Sequence, residues 1–186
     1  MKTAFFKNRL TGQLLALSLM AFTVSCQNKT SNPSKETQTI SKEVGKDLTL
    51  EDLRLKGMKF KNLKPHKQNE PKIYRTPSAL ATYNFGEENS HLKGIYIESF
   101  TSPKNTMDEA SVRIYEYDTV EEAEVAVNNP DFKDGNGSIL TLGRFLILLY
   151  SRDDQIAENY QQMADFYFDK GAILRKNDMD YIKKES

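Results

Sequence analysis

The chain has 186 residues, a length that suits one domain with appendages better than two domains. Twenty-six basic and twenty-six acidic side chains cancel, which argues against a uniformly basic nucleic-acid binder. A single cysteine excludes an internal disulfide and a CxxC site, and a hydrophobic content of 38% implies that part of the sequence stays unfolded.

The first 26 residues read MKTAFFKNRLTGQLLALSLMAFTVSC. Lys2, Lys7 and Arg9 are positive, and no acid precedes Cys26. The apolar run from Leu14 to Val24 is too short to cross a hydrocarbon core, which needs about 20 residues. A charged start, a short apolar middle and small residues before a break make a signal peptide over residues 1–25. Thr23-Val24-Ser25-Cys26 resembles the lipobox of bacterial lipoproteins, with Thr23 where leucine is commonest. The resemblance covers this segment only. It implies that Cys26 becomes the first mature residue and carries diacylglycerol and an amide-linked acyl chain. Several acyl chains, at about 0.8 kcal/mol per buried methylene, give a firm membrane anchor. Gln27 stands where an aspartate in proteobacterial lipoproteins favours inner-membrane retention, and Gln27 to Ser34 lack an acidic cluster resembling the surface-export signal of Bacteroidota lipoproteins. The resemblance therefore implies an outer-membrane anchor, with the domain facing the periplasm.

Residues 26–46 form the lipidated cysteine and a tether rich in Ser, Thr, Asn, Gln and Lys. Such a stretch buries too little apolar surface to offset its ordering entropy, so a flexible coil spanning about 25 Å is expected. Residues 47–77 are a basic lead-in segment, read as partly ordered. Thr49 and Asp52 have the spacing of a cap, and Gly57 supplies a stop. Arg54, Lys56, Lys59, Lys61, Lys64 and Lys67 follow one another with no acid between them. This cluster is a candidate electrostatic contact for anionic headgroups, an anionic envelope polymer or an acidic partner; the plainer alternative is a solvated loop.

Residues 78–176 read as an α+β domain, an antiparallel sheet of about five strands with two helices on one face in the order βββαββα. Strands are expected near 81–85, over 92–100 and over 111–118, where Val112 and Ile114 point one way and Arg113, Tyr115 and Tyr117 the other. Thr119 and Glu122 form a capping box that opens a helix ended by Asn128-Asn129-Pro130. The step from VRIYEYD into that helix resembles one seen in many ferredoxin-like α+β domains, an analogy of fold alone. Residues 129–137 fit no calcium-loop register and read as a turn. Two strands follow, 138–142 and 144–151; the unbroken apolar run from Phe145 to Tyr150 suits a central strand covered on both faces. Ile156, Tyr160, Met163 and Tyr167 then mark the strongest helix, closed by Gly171, with an edge strand near 172–175 and a charged, fraying tail over 177–186. The sheet face turned from the helices would carry Tyr96, Glu98, Arg113, Tyr115 and Tyr117, a candidate docking face.

Chemistry leaves few traces. His66 and His91 are the only histidines, HExxH is absent, and a metal site would have to assemble from acids distant in sequence. P-loop, GxSxG and GxGxxG patterns are also absent. No catalytic residue, metal or cofactor is therefore expected. From Glu98 onward eighteen acids face ten bases, so the domain itself is acidic. The expected function is that of a lipid-anchored, non-catalytic binding or accessory protein, joined to the membrane through Cys26 and to an envelope protein partner, with no nucleic acid. The alternatives are a small envelope hydrolase acting on glycan or peptide and an immunity-type inhibitor lipoprotein.

Overall fold

The computed structural model describes residues 44–67, 70–83, 91–102, 110–129, 132, 137–151, 157–177, 180 and 182–183. The signal peptide, Cys26 and residues 27–43 of the tether lie outside the described residues, as does most of the 129–137 turn. Among the described residues there are seven strands: β1 (Lys64–Pro65), β2 (Lys72–Tyr74), β3 (Leu92–Thr101), β4 (Ala110–Tyr117), β5 (Gly137–Leu142), β6 (Phe145–Ser151) and β7 (Ile173–Asn177). Three helices accompany them: α1 (Pro77–Thr82), α2 (Val120–Ala126) and α3 (Ala157–Phe168). The strands form one antiparallel sheet in the order β1-β3-β4-β6-β5-β7, with β2 also pairing with β3.

The α+β class and antiparallel sheet agree with the sequence reading, while the strand count and the helix placement do not. Two of the extra strands come from the lead-in segment. β1 and β2 pair with successive stretches of the same side of β3, Lys64 opposite Thr101 and Lys72 opposite Ile97. They cover an edge that would otherwise offer open hydrogen-bonding groups. The strand expected near 81–85 is replaced, up to Thr82, by the end of α1. Thr76 caps that helix by accepting from the Ala79 amide, and Pro77 at its first position has its backbone angle already set for a helix.

The two longer helices lie on opposite faces of the sheet. Alternation along each strand makes two cores. On the first face, Val112, Ile114, Leu140, Ile147 and Leu149 meet Tyr160, Met163, Ala164 and Tyr167 of α3. On the second, Ile95, Tyr115, Tyr117, Ile139 and Leu146 meet Ala123 and Ala126 of α2, together with Phe132. The central role of β6 follows the sequence reading, since it pairs with β4 and β5 and buries residues on both faces. The Thr119 capping box is present: the Glu122 amide donates to Thr119 Oγ1 at 3.2 Å and the Thr119 amide donates to Glu122 Oε2 at 3.0 Å.

The lead-in segment belongs to the domain. Leu50, Leu53, Leu55 and Leu63 are all buried in the first core. At about 1.5–3 kcal/mol each, four leucines carry a gross term comparable to the net stability of a domain, about 5–15 kcal/mol. Its backbone is also satisfied: Arg144 donates to the Lys46 and Leu48 carbonyls at 2.9 and 3.0 Å, and Asn159 donates to the Lys61 carbonyl at 2.7 Å. Thr49 and Asp52 bond as their spacing suggests, but they close a turn and no helix follows. Within the tail, the described residues Ile182 and Lys183 dock, in contrast to the expected fraying. Ile182 is buried, and the Lys183 amide donates to Gln161 Oε1 at 2.6 Å.

Candidate functional site

The expected docking face does not form. Tyr96 and Glu98 sit on the first face of the sheet and Arg113, Tyr115 and Tyr117 on the second. All three tyrosines are at most 1% exposed, because both faces carry a covering layer. Burial pushes each of their hydroxyls above its usual pKa range.

Arg113 is the member of that set that reaches an opening. Lys72 of β2 is paired with Ile97 of β3, and Ile97 with Arg113 of β4, so the three form one row across the sheet. Strand spacing places the two cationic residues about 10 Å apart at the backbone, with Ile97 between them. α2 covers the Tyr115–Tyr117 end of this face and leaves the Lys72–Ile97–Arg113 end to a cavity of about 220 Å³. Glu70, Tyr74, Tyr83 and Ser99 complete its lining. The Tyr74 and Tyr83 rings meet at 5.3 Å, and burial, together with the Tyr74 hydroxyl, pushes the Tyr83 hydroxyl above its usual range. Arg113 Nε is buried and makes no hydrogen bond, and among the described residues no carboxylate forms an ion pair with Arg113. The site therefore offers a guanidinium, an ammonium and three hydroxyls against one carboxylate. Sequence reasoning found Arg113 and missed Lys72, Tyr74, Tyr83 and Ser99. The stretch Lys72-Ile73-Tyr74 alternates as a strand should, which puts Lys72 and Tyr74 on one face, but three residues are too short a signal to have marked β2.

The basic segment divides in two. Arg54 turns inward, its guanidinium carbon 5.9 Å from the centre of the Tyr96 ring and its charge acting on Glu98. Lys61 pairs with Glu158 of α3 at 3.0 Å, an exposed contact worth at most about 1 kcal/mol. Lys56, Lys59, Lys64 and Lys67 are exposed. The buried acids of the first face serve as partners for neighbouring polar groups. Glu98 accepts from the Tyr96 hydroxyl, and Glu116 bonds Arg75 at 2.9 Å and Arg144 at 3.0 Å.

One histidine does meet acids that are distant in sequence. His91 Nδ1 lies 3.1 Å from Glu122 Oε1 and 3.7 Å from Asp118 Oδ2. His66 is buried elsewhere, its amide donating to the Ser99 carbonyl at 3.0 Å. No protein-family model, curated protein or solved structure matches the chain.

Proposed function

We propose that this chain is a lipid-anchored protein of the bacterial cell envelope, held in the outer membrane by acyl chains on Cys26 and facing the periplasm, and that its folded domain is a non-catalytic binding module for a small anionic ligand. Cys26, behind a short apolar run, supports the placement. The observation that carries the binding reading is the Lys72–Ile97–Arg113 row beneath the cavity, with Arg113 lacking a carboxylate partner among the described residues.

Arg113 lines the cavity without a carboxylate partner among the described residues. A carboxylate or phosphate bound there would neutralise its charge and use the planar fork of the guanidinium. The cavity volume of about 220 Å³ suits one anionic group with a small carbon skeleton. Tyr74, Tyr83 and Ser99 add hydroxyls for orientation. The non-catalytic reading is favoured over a hydrolase because the cavity lining has one carboxylate, Glu70, and neither histidine, so it offers no carboxylate pair and no imidazole base. Lys56, Lys59, Lys64 and Lys67 would add an electrostatic contact with anionic headgroups, each worth about 1 kcal/mol near the surface.

Two experiments test the two halves. Cys26→Ser should move the protein out of the membrane fraction and abolish palmitate labelling; unchanged fractionation and labelling would contradict the anchor. In thermal-shift measurements with succinate, citrate, inorganic phosphate and glycerol phosphate, at least one should raise the Tm of the parent and not that of Arg113→Ala. Equal responses of both proteins, or none in either, would contradict the cavity.

A further inference from the structure

We propose that His91, Asp118 and Glu122 form a binding site for a divalent transition-metal ion of the zinc class, separate from the cavity. The histidine is far in sequence from the two acids and is brought to them by strand pairing. Leu92 at the start of β3 is paired with Tyr117 at the end of β4, and the Asp118 amide donates to the His91 carbonyl at 3.2 Å. Thr119 then caps α2, which sets Glu122 beside them.

Each carboxylate has one oxygen engaged and the other turned to the imidazole. Glu122 Oε2 accepts from the Thr119 amide, while Oε1 lies 3.1 Å from His91 Nδ1. Asp118 Oδ1 pairs with Lys93, while Oδ2 lies 3.7 Å from the same nitrogen. The outer partners thus fix which oxygen is offered, as second partners of metal ligands do. A tetrahedral zinc ion with bonds of about 2.0–2.1 Å needs ligand atoms about 3.3 Å apart. The two contacts to Nδ1 bracket that spacing, and all three ligand atoms lie within 4.8 Å of one another. Small rotations of the two carboxylates would close the set and leave a fourth position to water. An imidazole nitrogen with two carboxylates suits zinc and its neighbours better than calcium, which takes about six to eight oxygens. Lys93 opposes a cation here, and the positive end of the short helix α2 does so too; the negative charges of Asp118 and Glu122 offset both.

The test is calorimetric titration of zinc ion into the mature protein beginning at Cys26, in detergent, made without a polyhistidine tag and stripped with chelator. The proposal expects one saturable equivalent and a Tm that rises on adding zinc. His91→Ala and Asp118→Asn should each weaken binding by about tenfold or more. Glu122→Gln should also weaken it, although glutamine can still complete the capping box. Metal-free Tm values, measured on every variant, separate a lost ligand from a lost fold. No saturable binding in the parent, or binding unchanged in a folded His91→Ala variant, would show that the cluster is only a set of ion pairs and would overturn the proposal.

Discussion

The Tyr167 hydroxyl donates to the Leu53 carbonyl at 3.1 Å, joining α3 to the lead-in segment across 114 positions of chain. Both residues are fully buried. Burial pushes the Tyr167 hydroxyl well above its usual pKa range, so it remains a donor throughout the physiological range. Tyr167→Phe leaves the Leu53 carbonyl without this donor and should cost about 1–2 kcal/mol in urea denaturation. An unchanged midpoint would show that the lead-in segment is held by its leucines alone.

Glu116 anchors a second link between the sheet and the lead-in segment. Its side chain is 7% exposed and bonds both Arg75 and Arg144, and Arg144 holds the Lys46 and Leu48 carbonyls. The arginines left behind are 46% and 26% exposed and keep other partners, so water screens part of the loss. Glu116→Gln should therefore destabilise the fold by about 1–3 kcal/mol. A loss below about 1 kcal/mol would mean that water reaches the arginines freely.

Glu98 should give the domain a distinctive pH response. Burial raises its carboxyl above the ordinary value of 4.5, against the opposing pull of Tyr96 and Arg54. The folded protein then retains a proton that the unfolded chain has already released. The contribution to stability is full below the unfolded value and is lost as pH rises through the folded one. As pH rises above 4.5, the parent should lose urea stability relative to Glu98→Gln, which carries no titrating group. Parallel profiles for the two proteins would contradict the raised carboxyl.

Local signals were the legible part of the sequence. The Thr119 capping box, the alternation of Arg113, Tyr115 and Tyr117 and the apolar run of β6 each depend on a few adjacent residues, and each appears in the structure. What escaped depends on contacts distant in sequence. Leu50, Leu53, Leu55 and Leu63 follow no single period because they fill gaps in a core built by other elements. β1 and β2 are two and three residues long, and β3 supplies the pairing that makes them strands. The side of the sheet that each helix covers is likewise set by its connection, which is why Tyr115 and Tyr117 proved buried while their neighbour Arg113 reaches a cavity. His91 gave no motif because its acidic neighbours lie 27 and 31 positions downstream.

The central claim, that the cavity around Arg113 holds a small anion, is tested most directly by native mass spectrometry of protein purified from the cells that make it. The parent should carry an anionic small molecule that Arg113→Ala lacks and that Lys72→Ala retains in smaller amount. An unliganded parent, or a ligand retained in full by Arg113→Ala, would contradict the account.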